Sequence, residues 1–101
     1  MGERIRIKIP KELLARFCET YHIRKLSLYG SALRDDFKPD SDIDILIEFE
    51  PEFKVGLLKM ARMENELSAI LGRKVDLRTP GDLSRYFRQE VLESAEVEYA
   101  I

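Results

Sequence analysis

Residues 25–49, KLSLYGSALRDDFKPDSDIDILIEF, decide the fold. KLSLY at 25–29 reads as a strand that runs into Gly30 and Ser31, where a helical turn can begin. After a polar stretch holding Asp35, Asp36, Pro39 and Asp40, IDILIEF at 43–49 has the β-branched and aromatic character of a second strand. Its two faces differ. Ile43, Ile45, Ile47 and Phe49 fall on one side, whereas Asp42, Asp44, Leu46 and Glu48 fall on the other. The segment therefore delivers a Gly-Ser turn at the end of one strand and a pair of carboxylates at the start of the next.

Working outward, Ile5, Ile7 and Ile9 alternate with Arg6 and Lys8 as a short strand or extended arm that Pro10 stops. Leu13, Leu14, Phe17, Cys18 and Tyr21 then recur at helical spacing to about His22. On the other side, Pro51 closes the second strand. Apolar residues at Leu57, Met60, Met63, Leu67, Ile70 and Leu71 predict an amphipathic helix over 53–71, with Gly72 as its C-cap. A third strand over 74–78 turns Val75 and Leu77 one way and Lys74, Asp76 and Arg78 the other. Pro80-Gly81 marks a turn, Asp82 or Ser84 caps a last helix to about Ser94, and VEYAI forms a short terminal strand. Alternating strands and helices predict one α/β (α+β) domain over residues 1–101, its mixed β-sheet covered by helices mainly on one face.

Composition bounds the function. The chain has 101 residues, the size of one domain with a single core, and a formal net charge of -2 with no basic stripe to track a nucleic-acid backbone. This argues against stable binding of duplex nucleic acid. A single cysteine, Cys18, forms no internal disulfide, and the sequence shows neither a signal-peptide pattern nor an apolar run long enough for a bilayer. A cytoplasmic protein with no membrane contact is expected.

Two carboxylates at i and i+2 on one face of a strand repel each other unless a cation lies between them. Mg²⁺ suits them, because it takes oxygen ligands and commonly one or two carboxylates together with substrate phosphates and water. Asp76 supplies a third acid on a strand of the same alternation, and three converging acids fit a two-metal site. Gly30 allows close approach of backbone to a phosphate, and Ser31 adds a hydroxyl and an amide where a helix begins. Arg34, one turn further, is placed either to contact a triphosphate or to pair with Asp35 or Asp36 at the surface.

Gly30-Ser31, ten residues, then Asp42-Ile43-Asp44 resembles the signature of the polymerase-beta-type nucleotidyltransferase superfamily. Within it the chain is similar to the minimal nucleotidyltransferases, the MntA-type antitoxins encoded beside HEPN-domain toxins. Residues 28–31, 41–47 and 75–80 (LYGS, SDIDILI, VDLRTP) stand where that family has its characteristic segments. The resemblance implies a nucleotidyltransferase-type sheet, Asp42, Asp44 and Asp76 as metal ligands and catalytic acids, Gly30 and Ser31 as triphosphate-binding residues, and use of ATP and Mg²⁺. It also implies transfer of AMP to a tyrosine of a HEPN-domain toxin in a hetero-oligomer. Ala32 stands where an arginine is frequent in the family's loop, and Asp35 where a glycine is frequent.

Other readings compete. An antitoxin could act by docking alone, or the acceptor could be a small molecule or RNA. Asp40, Asp42 and Asp44 imitate the start of a calcium loop, but its sixth position is Ile45 rather than glycine and its twelfth is Pro51, so that reading fails. Glycosyltransferases also use Asp-x-Asp, yet the chain is too short for their sugar-nucleotide domain. Cys18 reads as a small apolar core residue, His22 as the terminator of the first helix, Met60 and Met63 as helix core, and Arg85, Arg88, Glu90 and Glu93 as a solvated helix face.

Overall fold

The structure is a computed structural model that describes residues 9–33 and 42–101. The expected strand at Ile5 and Ile7, and the loop carrying Arg34, Asp35, Asp36, Pro39 and Asp40, lie outside these described residues. In chain order the elements are α1 (Lys11–Thr20), β1 (Ile23–Tyr29), a 3-10 turn (Gly30–Leu33), β2 (Ile43–Phe49), α2 (Leu57–Leu71), β3 (Val75–Arg78), a second 3-10 turn (Pro80–Asp82), α3 (Arg88–Ser94) and β4 (Glu96–Ala100). The strands form one mixed sheet in the order β3-β2-β1-β4, with β1 antiparallel to both β2 and β4 and β2 parallel to β3.

Period-two alternation divides the sheet into two faces. Leu26 and Leu28 of β1, Ile43, Ile45 and Ile47 of β2, and Val75 and Leu77 of β3 meet Leu14, Phe17 and Cys18 of α1 and Met63 and Leu67 of α2 in the main core. Each large side chain buried there contributes about 1.5–3 kcal/mol. The opposite face carries a smaller cluster of Tyr29, Leu46 and Leu83, against which Val91 and Leu92 of α3 pack. Among the described residues, two helices thus cover one face and a single short helix part of the other. This also explains why β1 is buried at every position from Leu26 to Tyr29.

The sheet's β3 edge is closed by α2. Ser68 Oγ accepts a hydrogen bond from the Val75 N–H at 3.0 Å, and Glu64 Oε2 accepts one from the Leu77 N–H at 2.8 Å. Gly72 ends α2 in the left-handed region at φ 68°, as its position after the last apolar residue predicts. Cys18 is fully buried, and burial pushes its thiol up to about 12. His22 ends α1 with φ 56° and pairs with Glu50 at 3.4 Å.

Four expectations need correction. The second helix begins at Leu57, not at 53, because Gly56 is extended and the Phe53 ring stacks on His22 at 3.7 Å instead of entering a helix. Its first turn projects from the protein, so Leu57, expected in the core, is 89% exposed, and Leu58 beside it is 90% exposed. Neither Asp82 nor Ser84 caps α3: the Asp82 carboxylate accepts from the Thr79 N–H and hydroxyl, both at 3.1 Å, and Ser84 Oγ accepts from the Tyr86 N–H, which delays the helix to Arg88. Arg88 is not part of a solvated face, since its guanidinium folds back to donate to the Leu83 carbonyl at 3.0 Å.

Candidate functional site

Strand directions bring the C-terminal end of β1 and the N-terminal ends of β2, β3 and β4 to one edge of the sheet. At this edge Asp44 stands in register with Tyr29 on one side and with Asp76 on the other. Residues directly opposite each other on neighbouring strands share a face, so Tyr29, Asp44 and Asp76 form a row on the face away from the main core. Asp42 lies two residues before Asp44, next to Ile43, whose N–H donates to the Lys74 carbonyl at 2.9 Å and fixes the approach of the chain to β3. Asp42 just before β2, Asp44 in β2 and Asp76 in β3 therefore lie along the same edge, as strand alternation predicts.

Gly30 joins the turn to this row. It follows β1 with φ +66°, and a Cβ placed on it would stand 2.7 Å from Asp44 Oδ2. Only a residue without a side chain fits both the backbone conformation and the close approach. The backbone of the 3-10 turn Gly30–Leu33, which contains Ser31, is thus held directly against a carboxylate, although the two are 14 positions apart in the chain. Arg34 lies outside the described residues.

Positive side chains already approach the acids. Arg78 donates to Asp76 Oδ2 from Nε at 3.4 Å and from its terminal nitrogen at 3.3 Å, and the neighbouring carboxylate raises the guanidinium pKa. Lys74 Nζ lies 3.9 Å from Asp42 Oδ2. These are surface pairs, with the Asp42 and Asp76 side chains 51% and 37% exposed, and such pairs contribute about 0–1 kcal/mol. They hold the acids only weakly and can give way to a stronger cation. Tyr29 is less accessible: burial first, and the negative charge of Asp44 second, push its hydroxyl up to about 12, with Arg78 opposing.

Among the described residues no three His, Cys, Asp or Glu side chains gather into a metal cage. Mg²⁺ does not need one, since it completes an octahedron with phosphate oxygens and water around one or two carboxylates. The donor set fits that use: oxygen ligands, in register across two strands, partly open to solvent and beside a glycine that leaves room for a phosphate.

Two participants in this edge were not foreseen from sequence. Arg78 was placed on the correct face by alternation, but nothing in the sequence shows that it reaches back to Asp76. Tyr29 looked like the last apolar residue of a strand. Only its pairing opposite Asp44 sets it in the carboxylate row.

Residues 10–98 match the nucleotidyltransferase domain family. The protein adenylyltransferase MntA of Thermococcus cleftensis is 39% identical over 82 residues, which span 81% of this chain and 77% of the relative. A solved structure assigned as a minimal nucleotidyltransferase superposes with a TM-score of 0.68 at 30% identity, covering 84% of this chain and 85% of that one. A chain of the complex between tri-AMPylated Shewanella oneidensis HEPN toxin and MNT antitoxin superposes with a TM-score of 0.64 over 90% of this chain and 70% of that one, a likeness of fold alone at 16% identity. With the Gly-Ser turn and the carboxylate row on a sheet of that fold, the chain belongs to the nucleotidyltransferase domain family and is a nucleotidyltransferase of its minimal kind.

Proposed function

We propose that this protein, acting as one domain in the cytoplasm, transfers AMP from ATP to a tyrosine hydroxyl of a HEPN-domain toxin, with Asp42, Asp44 and Asp76 as its catalytic acids. The observation that carries the reading is the contact of Gly30 with Asp44, which sets a phosphate-accommodating turn against the acids. The activity named for the Thermococcus cleftensis relative supports protein adenylylation, and the HEPN–antitoxin complex of like fold supports the partner.

In this reaction the tyrosine oxygen attacks the α-phosphorus, the bond to the β-phosphate breaks, and pyrophosphate leaves. Gly30 and Ser31 hold the β and γ phosphates by backbone amides. Asp42 and Asp44, with Asp76 beside them, are the residues that would hold Mg²⁺, and the metal would supply positive charge against the phosphates. Asp76, at the outer end of the row, orients the acceptor hydroxyl and takes its proton. Arg78 moves from Asp76 as the site loads. The edge is open to solvent at Asp42 and Asp76, and the toxin completes the cleft from outside.

The test compares the wild-type chain with the Asp42→Ala, Asp44→Ala double variant for label transfer from α-labelled ATP to the toxin and for complex formation with it. Transfer disappears while the complex persists. Undiminished transfer by the double variant would refute the assignment, and full neutralisation of the toxin without transfer would favour docking alone.

A further inference from the structure

The four tyrosines of the chain stand in different surroundings. Tyr29 is buried in the carboxylate row, where its hydroxyl is pushed up to about 12. The Tyr21 hydroxyl donates to Glu66 Oε2, and Tyr99 packs against the main core. Tyr86 alone stands clear of the surface, 86% exposed. We propose that Tyr86 is itself an acceptor, and that in the absence of the toxin one copy of this chain transfers AMP to Tyr86 of a second copy. The inference rests on the tyrosine-adenylylation reading above.

Three observations carry it. The first is the shape of the acceptor segment. The Phe87 N–H donates to the Ser84 carbonyl at 3.2 Å and the Tyr86 N–H to Ser84 Oγ at 3.3 Å, which makes a turn ahead of α3. Leu83 before this turn packs with Tyr29 and Leu46, and Phe87 after it lines a cavity of about 660 Å³ beside Gly30. Both ends are anchored and the tip projects, so the hydroxyl can enter another molecule without any unfolding. The second is the edge that receives it. Asp42 and Asp76 are 51% and 37% exposed, open to a short projecting turn when no toxin covers them. The third is charge. The Arg85 guanidinium lies 5.3 Å from the centre of the Tyr86 ring, where it can pair with the incoming phosphate and with the phosphodiester that forms. The Tyr86 side chain rests in solvent rather than over the acids of its own chain, so the transfer runs between copies. The Tyr86 oxygen bonds to the α-phosphorus of ATP on the second copy, the bond to the β-phosphate breaks and pyrophosphate leaves. The phenolic proton passes to that copy's Asp76.

The test incubates the chain alone with α-labelled ATP and Mg²⁺ and reads intact mass and peptide mass spectra. A single AMP appears on the peptide that contains Tyr86, and the initial rate per chain rises with protein concentration. Tyr86→Phe takes up no label yet labels the toxin at the wild-type rate, which also shows that the variant is folded. Mixed with Tyr86→Phe, the Asp42→Ala, Asp44→Ala double variant gains label that it does not acquire alone. Label on another residue, label retained by Tyr86→Phe, or a rate per chain independent of concentration would overturn the inference. So would a chain that labels the toxin but never itself, and in each of these cases the function proposed above stands. A chain that labels neither would overturn both.

Discussion

Replacing Gly30 by alanine separates catalysis from folding more sharply than removal of an acid does. At φ +66° an L-residue pays the left-handed penalty of about 1–2 kcal/mol. For a domain of this size, 1 kcal/mol lowers the melting temperature by roughly 4–8 °C, so Gly30→Ala melts roughly 4–16 °C below wild type and remains folded at 25 °C. Activity suffers far more. The new Cβ would lie 2.7 Å from Asp44 Oδ2, well inside contact distance, and Asp44 is the short side chain that must yield. A shift of about 1 Å in a group that positions the reaction costs on the order of 100-fold in rate. Thermal denaturation read by circular dichroism gives the first quantity and single-turnover transfer from labelled ATP gives the second. A variant that melts as expected but transfers AMP at the wild-type rate would refute the claim that Gly30 and Asp44 work as one unit.

Other outcomes follow from the same geometry. Asp76→Asn lowers the transfer rate by about 10²–10⁴-fold while changing AMP-PNP affinity little, because a base acts on the acceptor; a parallel loss of affinity measured by calorimetry would place Asp76 on the nucleotide instead. Glu64→Ala leaves the Leu77 N–H at the β3 edge without its acceptor and destabilises the chain by about 1–3 kcal/mol in urea denaturation, whereas an effect near zero would mean that water replaces the carboxylate. Tyr29 and Cys18 both hold their protons more tightly in the folded state, up to about 12 from ordinary values of 10.0 and 9.0. The folded form therefore binds more protons than the unfolded one at high pH. The stability linked to them is fully present below pH 9 and is lost as pH rises toward 12, and flat denaturation midpoints from pH 9 to 11 would contradict this.

Strand β2 was legible to its ends because Ile, Leu and Phe alternate with acids between polar residues and Pro51, and period two is a local signal. That same alternation put Asp76 and Asp44 on one face before any register was known. The start of α2 was not legible, since apolar spacing at 53–57 looks the same whether Phe53 enters a helix or stacks on His22 from a turn. α3 was misjudged at its N-terminus for a related reason: Asp82 is a good cap for whichever turn reaches it first, and the nearer 3-10 turn does. At the candidate site, residue types and spacing pointed to Gly30, Ser31, Asp42 and Asp44. The grip of Arg78 on Asp76, the position of Tyr29 opposite Asp44 and the cavity bounded by α3 depend on strand order and on how one helix docks. Those are properties of the assembled sheet, and no local window of sequence contains them.

The most direct test of the carboxylate row is crystallographic: Mn²⁺ in place of Mg²⁺, with AMP-PNP, and anomalous scattering to find the ions. An ion bound between Asp42 and Asp44, within reach of Asp76 and against phosphates lying on Gly30, is the result this account predicts. Nucleotide bound elsewhere on the protein, with no anomalous peak at that edge of the sheet, would contradict it.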